Sequence, residues 1–177
     1  MKGMVFTEFL NMVSDKFSAN MVDDIIDDSD LPSGGAYTAV GNYDHGELVQ
    51  MVAALSKRTG TPVPVLVKVF GEHLFGHFHA LYPSFFEGIT SALVFLEGIE
   101  TVIHTEVRKL YPDAQLPSFD CERSSDGLTM IYSSPRHFGD LAEGLILGAI
   151  AYFGDKVEVT RHNQTDGSIR FVMLKVA

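Results

Sequence analysis

The sequence predicts an α+β fold in which helices come first and a small antiparallel sheet comes last. Up to about residue 118, apolar side chains recur at helical spacing, whereas later segments are short, rich in β-branched and aromatic residues, and separated by turn signals. The chain has 177 residues, 46% of them hydrophobic, which is enough for one domain with a sizeable core. We therefore expect a single domain spanning residues 1–177.

The N-terminal half is predicted to be helical. In the first helix, Val5, Phe9 and Val13 form an apolar stripe at helical spacing. Pro62 and Pro64 suit the first turn of a later helix, because proline lacks the backbone N–H that interior turns require. The predicted helices after the first cover residues 44–57, 62–81 and 95–111.

The C-terminal half is predicted to combine four strands with one helix. Residues 128–134 are rich in β-branched and aromatic side chains, as strands are. Further strands are predicted over residues 119–123, 156–162 and 169–176, and a helix over residues 139–153. Gly144 and Gly148 lie inside that helix, where glycine either weakens the helix or permits close packing.

Composition excludes several classes of function. Thirteen basic residues against 23 acidic ones give a formal net charge of −10, so nucleic acids and anionic membranes are poor partners. The single cysteine, Cys121, cannot form an internal disulfide, and no secretory signal is recognisable. No apolar run reaches membrane-spanning length. We therefore expect a cytoplasmic protein.

Three hydrogen-bond donors alternate along the end of the predicted strand 128–134. Tyr132, Ser134 and Arg136 share one face if the strand continues through them, because side chains two residues apart point the same way. The guanidinium of Arg136 can hold a carboxylate with two hydrogen bonds, and the hydroxyls add single donors. The pattern predicts a binding site for an anion, although a surface strand with an ordinary arginine has the same sequence.

One histidine borders the apolar stripe of the predicted helix 95–111. Ile103, Val107 and Leu110 form that stripe, and His104 lies beside it. The imidazole of His104 is therefore expected to face inward. A half-buried neutral imidazole is a good metal ligand, but it can equally be a core histidine with a satisfied hydrogen bond.

The order of these residues resembles one known family. His104 is followed by Pro117 after thirteen residues and then by the Tyr132-x-Ser134-x-Arg136 motif. This arrangement is similar to the haem nitric oxide/oxygen binding (H-NOX) family, which is related to the haem domain of soluble guanylate cyclase. The likeness extends over nearly the whole chain, including Met1-Lys2-Gly3, the segment 71–78, and Tyr82-Pro83-Ser84-Phe85-Phe86 with Gly88 after it.

The resemblance implies that haem b (iron protoporphyrin IX) lies between two parts of the domain. A helical distal subdomain, residues 1–62, would cover one face of the haem. A proximal subdomain, residues 63–177, would carry His104 as the iron ligand. Tyr132, Ser134 and Arg136 would bind the propionates, and Pro117 would press on the porphyrin and distort it.

The resemblance also implies a distal pocket without a hydrogen-bond donor. Its residues would be Val5, Phe9, Leu74, Phe78 and Leu141, all of them apolar. Relatives that bind oxygen stably usually have a tyrosine at the position of Leu141. Bound oxygen carries partial negative charge and needs a donor, whereas nitric oxide and carbon monoxide do not. We therefore expect binding of nitric oxide and carbon monoxide and exclusion of oxygen, although apolar residues at helical spacing are also typical of an ordinary core.

Two classes of function are compatible with a haem site of this kind. The first is a sensor, not an enzyme, which changes shape when nitric oxide binds and signals through a separate protein. Resemblance to stand-alone bacterial members implies a histidine kinase or a cyclic-di-GMP enzyme (diguanylate cyclase or phosphodiesterase) as that partner. The alternative is a haem enzyme such as a peroxidase or nitric oxide dioxygenase, which needs a distal acid or base that the five apolar residues do not supply.

Two further histidines leave a question open. His73 and His77 stand four residues apart on the predicted helix 62–81, and two imidazoles so spaced can bind zinc. A zinc protease would have Glu directly after the first histidine, where Leu74 stands, so a hydrolase is not expected. The sequence does not determine whether His73 and His77 bind a metal.

Overall fold

The computed structural model describes residues 1–176 and has the predicted α+β fold. Residue 177, the last of the predicted domain, lies outside the described residues. The helices are α1 (Gly3–Lys16), α2 (Ala19–Asp27), α3 (His45–Thr59), α4 (Val63–Leu81), α5 (Ala92–Glu97), α6 (His104–Leu110) and α7 (Gly139–Phe153), with a 3-10 turn at Pro83–Phe86 and a π-helical segment at Ile99–Ile103. The strands are β1 (Ser118–Arg123), β2 (Gly127–Ser133), β3 (Val157–Asn163) and β4 (Ile169–Lys175). No helix within residues 1–176 combines the length and the apolarity needed to cross a bilayer.

Local signals in the sequence determine where several helices begin and end. The hydroxyl of Ser18 accepts a hydrogen bond from the amide of Met21 at 3.1 Å and caps α2. Asp44 caps α3 in the same way. Gly60 ends α3 at a φ of 72°, a left-handed conformation that glycine adopts without steric cost. The prolines then begin α4 as predicted.

The four strands form one antiparallel sheet in the order β1-β2-β4-β3. Alternate residues of β2 and β4 are buried, and their side chains pack with those of α5 and α7. In the register between β1 and β2, Phe119 lies opposite Tyr132. The sheet therefore positions the first residue of the predicted donor trio beside β1.

The core consists of two hydrophobic clusters. The first joins α1, α2 and α3 with Leu66, Phe70 and Leu74 of α4. The second joins the sheet, α5 and α7 with Phe75 of α4. Helix α4 thus contributes to both clusters, since Leu74 and Phe75, adjacent in the sequence, belong to different clusters.

Helices α4 and α7 make backbone-to-backbone contact. A Cβ atom added at Gly71 would lie 2.5 Å from the carbonyl oxygen of Leu141 and 2.8 Å from the Cα of Gly144. A Cβ atom at Gly144 would lie 2.1 Å from the carbonyl oxygen of Lys68. Both positions need glycine because no larger side chain fits between the two backbones.

The single helix predicted over residues 95–111 is interrupted in the structure. Helix α5 ends at Glu97, and a π-helical segment separates it from α6, with the amide of Ile103 bonded to the carbonyl of Gly98. A π turn holds more residues than an α turn, so it changes the direction in which the following side chains point. As a result Leu110, predicted to belong to the apolar stripe, is 56% exposed, whereas His104 is only 8% exposed.

Two alanine substitutions on α4 should have opposite effects on stability. Gly71→Ala should lower the free energy of unfolding by about 1 to 3 kcal/mol, because the added methyl meets the backbone of α7. Gly76→Ala, where an added Cβ meets nothing within 4 Å, should raise it by up to about 1 kcal/mol through helix propensity. Urea unfolding midpoints at an unchanged m-value measure both effects. A Gly71→Ala variant as stable as Gly76→Ala would contradict the packing argument.

Candidate functional site

A cavity of about 540 Å³ lies between the two hydrophobic clusters and contains most of the predicted site residues in its wall. Its volume is in the range of typical binding sites for cofactors and small molecules. The sequence-predicted residues that line it are Val5, Leu74, Phe78, His104, Pro117, Tyr132, Ser134, Arg136 and Leu141.

Phe9, which was also predicted to line the pocket, is not part of this wall. Its side chain is fully buried in the N-terminal cluster, with its ring edge-to-face against Phe70 at 5.3 Å between centroids. Phe9 stands one helical turn beyond Val5, on the part of α1 that packs against α4. It supports the wall from behind.

The imidazole of His104 lies in the cavity wall with one ring nitrogen already engaged. Its Nδ1 is 3.0 Å from Oε2 of Glu100, four residues earlier in the chain. An ionised carboxylate can only accept a hydrogen bond, so Nδ1 carries the proton and Nε2 keeps its lone pair. Nε2 is therefore the nitrogen left to bind a metal.

The charge state of this pair is determined by its surroundings. Burial lowers the pKa of His104, although the neighbouring carboxylate opposes this effect, so the imidazole is neutral at physiological pH. Burial by itself raises the pKa of Glu100, but hydrogen bonds from Arg108, His104 and the amide of Phe119 outweigh it and lower the pKa overall. A neutral imidazole beside an ionised carboxylate is the arrangement that metal-binding histidines commonly have.

The donor trio converges on the cavity, but not as one continuous strand. Strand β2 ends at Ser133, and Ser134 to Arg136 form a turn that precedes α7. Pro135 explains this end, because proline cannot donate a hydrogen bond to a neighbouring strand. The prediction that the three side chains share a strand face is therefore wrong, although all three line the cavity.

Arg136 is held in place by a residue that was not predicted. Its two terminal nitrogens donate to the backbone oxygen and to the side-chain oxygen of Gln115, each at 2.9 Å. Its own amide donates to the hydroxyl of Ser134 at 3.2 Å. The guanidinium is thus positioned at the cavity mouth and has further N–H groups available for an anion.

Tyr132 is the buried member of the trio. It is 3% exposed, and its ring lies 5.6 Å from that of Phe119. Burial raises the pKa of Tyr132, so its hydroxyl stays protonated and can donate a hydrogen bond.

The remaining wall is largely apolar and aromatic, with polar groups at its margin. Tyr82, which follows α4, lines the cavity as well. Burial, and to a lesser extent a hydrogen bond with Tyr111, raises the pKa of Tyr82 to about 12. Its hydroxyl is therefore protonated at physiological pH.

A polar contact joins the two parts of the protein at the cavity mouth. The ammonium group of Lys2 lies 3.0 Å from Oδ1 of Asp113, and the side-chain amide of Asn42 donates to Oδ2 of Asp113 at 2.7 Å. Lys2 precedes α1, Asn42 precedes α3, and Asp113 follows α6, the helix that begins with His104. We call this set the mouth contact.

The chemistry of this wall fits haem. Haem is a flat apolar ring system with a metal that accepts an axial nitrogen and with two carboxylates at one edge. The cavity offers apolar walls, one imidazole with a free Nε2, and a cluster of donors at its mouth. The residues that would hold haem are His104 at the metal and Tyr132, Ser134 and Arg136 at the carboxylates.

His73 and His77 lie outside this cavity wall and share a buried carboxylate. Nε2 of His73 is 3.4 Å, and Nδ1 of His77 is 3.1 Å, from Oε2 of Glu8 in α1. Within residues 1–176, no group of three or more His, Cys, Asp or Glu side chains has a geometry that could hold a metal ion.

Sequence reasoning missed two functional neighbours, Glu100 and Gln115. Glu100 had a recognisable signal, since a carboxylate four residues before a histidine lies next to it on a helix. Gln115 had none, because it lies in the loop between α6 and β1 and reaches Arg136 only through the tertiary fold.

Comparison with known proteins agrees with this geometry. The sequence model of the Haem-NO-binding family (HNOB) matches residues 2–161. The Fe(II) unliganded H-NOX protein from K. algicida is 38% identical, with a TM-score of 0.93 over 100% of this chain and 97% of that one. No curated protein matches the chain at a significant level.

Two further solved structures carry gas ligands. The H-NOX from Shewanella woodyi, bound to IWP-051 in the Fe(II)CO state, is 35% identical, with a TM-score of 0.86 over 99% of this chain and 95% of that one. An H-NOX protein from S. oneidensis in the Fe(II)NO state is 25% identical, with a TM-score of 0.92 over the full length of both chains. The resemblance seen in the sequence is confirmed, and the chain belongs to the Haem-NO-binding, or H-NOX, family.

Proposed function

We propose that the protein is a haem-based gas sensor, which binds nitric oxide and carbon monoxide at ferrous haem b, excludes oxygen, and signals through a separate protein. The observation that carries this proposal is that His104 and the donors Tyr132, Ser134 and Arg136 line the same apolar cavity. Those groups are separated by up to 32 residues in the sequence. Together they would supply a ligand for the iron and donors for the carboxylates of one haem molecule.

Haem supplies the iron coordination position at which a gas binds, and the chain supplies the groups that select the gas and respond to its binding. Nε2 of His104 would bind the iron, and Glu100 orients the imidazole ring through Nδ1. Arg136 would neutralise propionate charge at the mouth, and the hydroxyl of Tyr132 would donate a hydrogen bond beside it. Pro117, a rigid side chain in the cavity wall, would press on the porphyrin and distort it.

The apolar part of the wall supports the proposed gas selectivity. Val5, Leu74, Phe78 and Leu141 line the cavity and offer no hydrogen-bond donor. Nitric oxide and carbon monoxide do not depend on such a donor, and the relatives from S. oneidensis and Shewanella woodyi have been solved with these gases. The same wall favours a sensor over a haem enzyme, because His104 is the only histidine on it within residues 1–176.

The proposed output begins at His104. His104 would hold the iron, and its release when nitric oxide is bound would let α6, which begins with His104, move relative to the sheet. A shift between two arrangements of α6 is the minimum that a switch requires. We propose a histidine kinase or a cyclic-di-GMP enzyme as the partner that reads this shift. The division into a distal subdomain, residues 1–62, and a proximal subdomain, residues 63–177, stays a prediction. Helix α4 contributes residues to both hydrophobic clusters.

The iron ligand can be tested by removing its imidazole. His104→Gly should be purified with little haem and without the absorption spectrum of a histidine-ligated haem, and added imidazole should restore both. His162→Gly, which removes an exposed imidazole from β3, should retain haem normally. Unchanged haem content and spectrum in His104→Gly would show that another residue is the ligand.

The carboxylate cradle can be tested by removing its donors. Arg136→Ala should lower the haem content sharply, because loss of one partner from a buried charge pair costs about 3 to 5 kcal/mol and a partly exposed pair somewhat less. Arg170→Ala, which removes the same charge from an exposed position on β4, is the matched control. Full haem retention in the triple variant Tyr132→Phe, Ser134→Ala, Arg136→Ala would overturn the assignment.

Gas selectivity can be tested by adding a donor. The reduced wild-type protein should have the same spectrum in air as under nitrogen, whereas Leu141→Tyr should gain oxygen affinity by about five- to hundred-fold through one hydrogen bond to a charged acceptor. A companion Phe78→Val substitution makes room for the larger ring. Tyr82→Phe should leave the wild-type behaviour unchanged. Stable oxygen binding by the wild-type protein would refute the proposed exclusion.

A further inference from the structure

Glu100, in the π-helical segment, has three hydrogen-bond partners on two other elements, α6 and β1. Its Oε2 accepts from Nδ1 of His104 at 3.0 Å and from the backbone amide of Phe119 in β1 at 3.2 Å. Its Oε1 accepts from a terminal nitrogen of Arg108 at 2.9 Å. One carboxylate therefore connects the π-helical segment, α6 and the edge strand of the sheet.

The carboxylate contact affects how strongly His104 can bind a metal. A hydrogen bond from Nδ1 to a negative acceptor draws the Nδ1 proton away from the ring and leaves more electron density at Nε2. A more basic Nε2 is a stronger metal ligand, which is why partners of metal-bound histidines alter metal affinity. The His104 side chain is only 11% exposed, so this contact is poorly screened by solvent.

Arg108 acts on the same carboxylate from the other side. The negative charge of a carboxylate is shared by its two oxygens, so a cation at Oε1 reduces the charge that Oε2 offers to His104. The Arg108 side chain is 47% exposed and lies one turn beyond His104 on α6. Arg108 therefore opposes the effect of Glu100 without touching the imidazole.

We propose that Glu100 and Arg108 are opposed positioning residues that set the strength of the bond between His104 and haem iron, Glu100 strengthening it and Arg108 weakening it. This inference rests on the proposed haem function. The two residues would therefore also determine how readily nitric oxide releases His104, because a stronger bond between His104 and iron needs more energy to break.

Opposite shifts in two variants would test the proposal. In the haem-loaded full chain, Glu100→Gln should lower the iron–histidine stretching frequency measured by resonance Raman. Arg108→Met should raise it. The ratio of released to iron-bound His104 in the nitric oxide complex should rise in Glu100→Gln and fall in Arg108→Met, on the order of tenfold each. A purely structural role for the pair would move both variants in the same direction.

A neighbouring ion pair on α6 supplies matched controls. Lys109 and Glu106 lie 2.6 Å apart on the same helix, away from the imidazole. Glu106→Gln and Lys109→Met make the same changes of charge as the test variants and should leave the stretching frequency unchanged. Glu100→Asp, which keeps the carboxylate, should recover part of the frequency that Glu100→Gln loses.

Haem-free protein gives a second measurement if a variant retains too little haem. The Nδ1 proton of His104, shifted downfield by a carboxylate acceptor, should move upfield in Glu100→Gln and further downfield in Arg108→Met. Unchanged or parallel shifts in the two variants, with haem still lost in His104→Gly, would overturn this inference and leave the proposed function intact. Wild-type protein that binds no haem would overturn both.

Discussion

The close approach of α4 and α7 is the constraint on which the rest of the structure depends. At Gly71 and Gly144 the two helices meet without an intervening side chain, so their separation is determined by backbone contact. Helix α4 carries apolar residues into both hydrophobic clusters, and α7 carries Leu141 and Ala142 to the cavity wall. The width of the cavity between the clusters is consequently set by two rigid helices, which side-chain rearrangement alone cannot change.

Two charged groups lie at separate places around the cavity, one behind the imidazole of His104 and one at the mouth. One ionised carboxylate, Glu100, lies behind the imidazole, and the guanidinium of Arg136 lies at the mouth. Between them the wall is apolar and aromatic. An apolar wall of this kind lowers the local dielectric constant, so the few charges near it have a larger effect than they would in solvent.

The sequence was sufficient to predict the fold class, the four strands and most of the helices, and nine of the ten predicted site residues line the cavity. Periodicity and cap residues are local signals, and the alternation of β2 and β4 could be predicted from them. The features that it did not predict depend on tertiary packing. The π-helical segment before His104 carries no periodic signal, the turn at Pro135 redirects Arg136 towards Gln115, and Phe9 is drawn towards Phe70 instead of the cavity.

The mouth contact has a consequence for how the protein acquires its cofactor. Lys2 and Asp113 are 111 residues apart in the sequence, and a partly buried ammonium group meets an exposed carboxylate across the mouth. Exposed ion pairs contribute little to stability, and regions held by such contacts open far more often than a buried core unfolds. The two hydrophobic clusters can therefore stay folded while the mouth separates. Loading of the macrocycle then requires local opening only, and its rate should depend on ionic strength more than on global stability.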